Sequence, residues 1–116
     1  MRDMTLDLAG IAPGEKVLDV GCGTGTLTIA AQARAGASGE IHGIDAAPEM
    51  IEVAHRKATE QGADIDFQVG LIEDIPFPDD EFDLVLSSFV LHHLPSQLKR
   101  SGFIEMQRVL KPGGRF

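Results

Sequence analysis

Residues 17–25 read VLDVGCGTG, an apolar run containing one acid and followed by glycine at 21, 23 and 25. Few folds accommodate that string. KVLDV (16–20) is too short and too β-branched to prefer helix, so it is expected as a buried strand. Glycines at alternate positions directly after it permit backbone angles and close approaches that a Cβ would forbid. TGTLTIAAQARA (24–35) then carries Leu27, Ala30, Ala31 and Arg34 at helical spacing and stops at Gly36. A strand, a glycine turn and a helix in that order open a βα unit, and turns of this kind usually cradle nucleotides.

The alternation continues along the chain. MTLDLAGI (4–11) reads as a short leading helix, and APGE (12–15) as a turn. EIHGID (40–45) is a second strand. APEMIEVAHRKATEQG (47–62) is a helix, with Pro48 in its first turn, acids early and Arg56 and Lys57 late, as the helix dipole favours. IDFQV (65–69) is a third strand, PFPDDEFD (76–83) a loop, and FDLVLSSF (82–89) a fourth strand apolar on both faces at its centre. PSQLKRSGFIEMQRVL (95–110) is a helix whose apolar face holds Leu98, Phe103, Met106, Val109 and Leu110. KPGG (111–114) breaks the chain, and Arg115-Phe116 begin a fifth strand. Strands separated by helices require parallel pairing and right-handed crossovers. The expected architecture is α/β, an open parallel sheet with helices on both faces. Stopping as a strand begins reads as an N-terminal part of a larger domain rather than a minimal protein.

Composition narrows the function. A net charge of −8 argues against nucleic acid as partner, since phosphate contacts need clustered Lys and Arg. One cysteine, Cys22, excludes an internal disulfide and a cysteine-cluster metal site. No apolar run approaches the roughly 20 residues of a membrane helix, and MRDMTLDLAG lacks the apolar stretch of a signal peptide. The expected compartment is the cytoplasm, and no metal is expected.

In open α/β sheets ligands bind beyond the carboxyl ends of the strands. Here those ends are Asp19–Gly25, Asp45–Ala46, Gly70–Glu73 and Ser87–Phe89, four segments expected to converge. The dinucleotide fingerprint G-x-G-x-x-G would place its third glycine at 26, where this chain has Thr26. Asp19, two residues before the first glycine, would repel a pyrophosphate and attract an ammonium group. A ligand with adenosine at one end and a cationic amino acid at the other suits the pattern better than a nicotinamide dinucleotide. Asp45, about twenty residues after the glycines, is placed to take ribose hydroxyls.

Four blocks, VLDVGCGTG, GIDAAPEMI, IPFPDDEFDLVLSSFVLHHL and RVLKPGGRF, stand in an order and spacing that resemble the class I S-adenosylmethionine-dependent methyltransferases, especially the small-molecule branch that includes quinone-ring methyltransferases. The resemblance implies a Rossmann-like sheet, S-adenosylmethionine as cofactor and a small-molecule methyl acceptor. It implies that the backbone of Gly21, Cys22 and Gly23 passes under the methionine part, and that Asp19 receives its ammonium directly or through water. Asp45 would hold the ribose, with Ala46 and Met50 near ribose and adenine. Ile72 would offer backbone groups to the adenine edge, and Ser87 would face the methyl. The family often has an acid where this chain has Leu71; Glu73 is the nearby substitute, or the contact is missing.

Plainer roles stand beside these. The glycines could form a ligand-free turn, Asp19 a buried structural acid, Asp45 a cap for the following helix, Cys22 a packing residue, and Ser87 or Ser88 a strand-end cap. His92 and His93 are candidates for a general base, but no catalytic residue is assigned, because methyl transfer needs a base only when the acceptor must lose a proton. Alternatives to the enzyme are a nicotinamide-dependent oxidoreductase and a non-catalytic protein that keeps the fold. An unpaired edge at the fifth strand would favour self-association.

Overall fold

The structure, a computed structural model, describes residues 11–87 and 95–115. Among these, strands β1 (Lys16–Val20), β2 (Glu40–Asp45), β3 (Asp66–Val69), β4 (Phe82–Leu86) and β5 (Leu110–Arg115) form one sheet in the order β3-β2-β1-β4-β5. Every pairing is parallel. Helices α1 (Thr26–Ala35), α2 (Pro48–Glu60) and α3 (Ser96–Val109) supply crossovers. The expected helix at 4–11 lies outside the described residues except for Ile11, which is buried. Ser88 and Phe89 of the expected fourth strand lie outside them too.

Side-chain alternation explains why both faces are covered. Val17, Ile41, Phe67 and Leu84 pack with Ala31 and Ala35 of α1 and Ala54 and Ala58 of α2. Leu18, Val20, Ile44 and Val85 pack with Met106 and Val109 of α3. Successive residues of a strand point to opposite faces, so strands covered on both must be apolar throughout. The buried alanines of α1 and α2 let these helices lie close to the sheet. Gly43 serves the same end, since a Cβ there would stand 2.8 Å from the Phe67 ring and 3.2 Å from Cys22 Sγ.

One boundary corrects the sequence reading. The fifth strand starts at Leu110, not Arg115, and runs through KPGG. Phe82 pairs with Leu110 and Leu84 with Arg115, so β5 bulges between them. The bulge takes up the proline, which has no N–H to give to a ladder, and Gly113 at φ 84° adopts a left-handed conformation within it.

The sheet order places the site. From β1 the chain moves outward through β2 and β3, then returns to β4 on the other flank. Strand order therefore reverses at β1, which has β2 on one side and β4 on the other, and an open α/β sheet takes its ligands at the carboxyl ends beside such a reversal.

Candidate functional site

A cleft of about 280 Å³ opens over the carboxyl ends of β1, β2 and β3. Val20 and Gly21 line it from β1 and the glycine turn, Asp45 and Ala46 from the end of β2, Gly70–Glu73 from the loop after β3, and Leu98 from α3. Of the residues singled out from the sequence, Gly21, Asp45, Ala46, Leu71, Ile72 and Glu73 thus come together.

The glycine turn is tied to β2. The amides of Gly21 and Cys22 both donate to the Ile44 carbonyl, at 2.8 and 2.9 Å. The Gly23 amide donates to Asp45 Oδ2 at 3.0 Å. Gly21 and Gly23 have φ of 73° and 58°, the left-handed region that side chains disfavour. Gly25 has a packing role, because a Cβ would sit 3.0 Å from both Ala54 Cβ and the Phe67 ring.

Asp45 is the acid at the rim. Its Oδ1 accepts the Ala47 amide at 2.9 Å while Oδ2 holds Gly23. It does not cap α2, whose N-cap Ala47 has no side-chain capping bond. A carboxylate has about four acceptor positions, so two backbone amides orient it and leave capacity for a ligand's hydroxyls.

Asp19 is placed differently. It is 1% exposed and absent from the cleft lining, and its Oδ2 accepts the Thr28 hydroxyl at 2.7 Å. Burial pushes its carboxyl up to about 7, against the lowering effect of the Thr28 bond, and the Asp45 charge adds to the rise. Among the described residues its Oδ1 is buried without a partner, and so is Ser87 Oγ. Asp19 is in register with Leu86, so these two unsatisfied atoms stand at the carboxyl ends of adjacent strands.

Cys22 turns its side chain into the core, and burial, then the charges of Asp19 and Asp45, push its thiol up to about 12. That is a packing residue, not a thiolate nucleophile. Met50 is half-buried in the first turn of α2 and outside the cleft lining. Ile72 packs against Gly102 of α3, where a Cβ would come within 2.7 Å of it. Leu71 is 44% exposed and pairs with Asp74 across a tight turn, which leaves Glu73 as the acid on that wall. His92 and His93 lie outside the described residues.

Three contributors escaped the sequence reading. Thr28 looked like one more helix residue. Leu98, expected on the apolar face of α3, lines the cleft. Lys57 of α2 donates to Thr26 Oγ1 at 2.8 Å, bracing the start of α1 beside the glycine turn. None carries a local signal, since each acts across two elements. Among the described residues no group of three or more His, Cys, Asp or Glu could hold a metal, and no helix is long and apolar enough to cross a membrane.

Known proteins resemble this chain in sequence and in fold. The chain is 41% identical over 115 residues to a demethylmenaquinone methyltransferase of Bacillus velezensis, covering 98% of this chain and 48% of that protein. It is 42% identical over 106 residues to the ubiquinone/menaquinone biosynthesis C-methyltransferase UbiE of Geotalea daltonii, covering 90% and 44%. The solved structure of a SAM-dependent methyltransferase from Aquifex aeolicus superposes with a TM-score of 0.83 at 30% identity, over 90% of this chain and 55% of that one. The chain spans about half the length of these curated relatives. A family profile described as a methyltransferase domain matches residues 17–114, from the first glycine-motif strand to the bulge of β5, and the chain therefore belongs to the methyltransferase domain family.

Proposed function

We propose that this chain forms the S-adenosylmethionine-binding part of an enzyme that methylates a small molecule of quinone type. The observation that carries the reading is Asp45, oriented by the Gly23 and Ala47 amides at the rim of a cleft over the carboxyl ends of the strands. The names of the relatives point to the same chemistry.

The residues fit the cofactor's parts. A vicinal diol needs a fixed acceptor with spare lone pairs, and Asp45 is one. An ammonium group needs an acceptor that is not already paired, and Asp19 Oδ1 has no partner among the described residues. A cation reaching Asp19 directly or through water would favour its ionised form and relieve a buried unsatisfied acceptor. The backbone of Gly21, Cys22 and Gly23 passes beside the cleft, with space above Gly23, where a Cβ would meet nothing within 4 Å. Ala46 supplies apolar surface for the ribose and base, and Leu71, Ile72 and Glu73 supply further wall of the same cleft. Ser87, directly after β4, has a buried hydroxyl with no partner among the described residues, available to the methionine end.

Bound there, S-adenosylmethionine would supply a methyl group already made electrophilic by its sulfonium. The protein's part is to hold the acceptor in line and keep water out. A ring carbon that accepts a methyl must also lose a proton, and no described residue is assigned as its base.

Calorimetric titration with S-adenosylhomocysteine, with NAD as control, tests the reading. Saturable binding of the first alone is expected, weakened by roughly tenfold or more in Asp45→Ala, which removes the oriented acceptor. Preference for NAD, or undiminished binding by Asp45→Ala, would sink it.

A further inference from the structure

The wall of the cleft formed by residues 71–73 belongs to a loop, and loop backbone needs partners as strand backbone does. Those partners come from α3. The Ile75 amide donates to Glu105 Oε1 at 2.8 Å. Arg108 Nη2 donates to the Ile75 carbonyl at 2.9 Å and to Glu105 Oε1 at 2.9 Å. Arg108 Nη1 donates to the Phe77 carbonyl at 2.8 Å and to Asp79 Oδ1 at 2.9 Å. Arg108 Nε donates to Glu105 Oε2 at 2.8 Å.

A guanidinium has five N–H donors in a fixed plane, and here all five are used. Three lead to the loop and two to Glu105, which itself accepts from the loop. The arginine is 30% exposed, so water could have satisfied it. A solvated arginine does not need this geometry; a loop that must stay in one place does.

The same helix reaches the cleft higher up. Leu98 lines it, and Ile72 rests on the bare Cα of Gly102. Leu98, Gly102, Glu105 and Arg108 follow at intervals of four, three and three, so one stripe of α3 faces the whole loop. The backbone past Arg108 continues the attachment, since Asp80 N donates to the Arg108 carbonyl at 2.9 Å.

We infer that Arg108, with Glu105, is a positioning residue that fixes the 71–79 loop as the far wall of the cleft and so sets affinity for the adenosine-bearing ligand. The inference rests on the proposed cofactor reading for its ligand but not for its mechanical part. Arg108 lies away from the cleft lining and acts through the loop.

Hydrogen exchange on the whole chain, followed in wild type, Arg108→Ala, Arg108→Lys and Glu105→Gln, provides the test. In Arg108→Ala the amides of Asp74, Ile75 and Phe77 should exchange roughly tenfold faster or more, while those of Val17–Val20 and Ile41–Ile44 stay within about twofold. Arg108→Lys, with three donors instead of five, should fall between. Unchanged loop exchange, or equal acceleration in the central strands, would overturn the positioning role. Titration of the same proteins with S-adenosylhomocysteine should show affinity falling in Arg108→Ala and partly recovered in Arg108→Lys. Wild type that binds, with Arg108→Ala binding equally well, overturns the inference. Wild type that fails to bind sinks the cofactor reading instead, and the exchange result still decides whether Arg108 holds the loop.

Discussion

The two ends of the same parallel strands are built on opposite terms. At the amino ends, charged side chains satisfy one another. Lys16 bonds Glu81 and lies 3.3 Å from Glu40. The two ring nitrogens of His42 face Asp66 at 3.0 Å and Glu40 at 3.3 Å. Asp83 accepts the Lys16 amide at 2.9 Å and lies 3.3 Å from Lys111. Phe77 and Phe82 meet the His42 ring edge-on beneath this network. At the carboxyl ends glycines replace side chains, and the two buried polar atoms without partners among the described residues, Asp19 Oδ1 and Ser87 Oγ, are both there. An unsatisfied buried acceptor costs about 1–3 kcal/mol. One end of the sheet is closed for stability, and the other is held open at a stability cost that a ligand can offset.

The comparison is sharpest at Asp19. Its carboxyl titrates at about 7 in the folded chain against 3.8 for the unperturbed group. The folded state therefore binds more protons than the unfolded state between those values, and this group's contribution to stability falls as pH rises through that window. Asp19→Asn removes the titration. The stability of the variant relative to wild type should climb from about pH 4 to pH 7 by at most roughly 4 kcal/mol, at about 1.4 kcal/mol per pKa unit. Urea unfolding across that range measures the slope; a flat difference would mean that the site is hydrated and the contrast with the amino ends is false. Affinity for an ammonium-bearing ligand should fall in the same variant, a trade of function for stability.

Gly43→Val tests the support beneath the turn. The added methyls would collide with Phe67 and Cys22, and overpacking of this kind costs about 1–3 kcal/mol. A thermal melt should show the loss, and ligand binding should weaken with it because Cys22 belongs to the turn. An unchanged melting temperature would show that the core under the turn is loose.

The smallest effect belongs to the amino ends. Lys16→Ala removes a partly exposed pair whose worth is about 0.2–1 kcal/mol and falls with salt. Ligand affinity should not change. A change as large as that in Asp45→Ala would show that the two ends are coupled and not separate.

Much of this was legible locally. The strand, glycine turn and helix of residues 16–35 follow from β-branching, glycine spacing and helical periodicity, all properties of neighbouring residues. Asp45 at the end of β2 is readable for the same reason, as is Cys22 as a packing residue. β5 was misread because KPGG carries the signals of a chain break. Pairing with β4 absorbs those signals as a bulge, and that pairing is a property of the sheet, not of the segment.

What the amino-acid sequence determined by itself is the alternation of elements, the parallel sheet, and the acids and glycines set at the strand ends. Periodicity, turn chemistry and the reach of a crossover suffice for that. The tertiary structure decided which strands are neighbours and hence where the cleft opens. It decided that Asp19 lies buried under Thr28 while Asp45 stands at the rim, although both are acids at or near the ends of strands. It also decided that Arg108, nearly thirty residues beyond Asp79, holds the cleft wall. Burial and long-range pairing depend on how whole elements pack, and side chains far apart in the chain meet only after the sheet has fixed the distances between them.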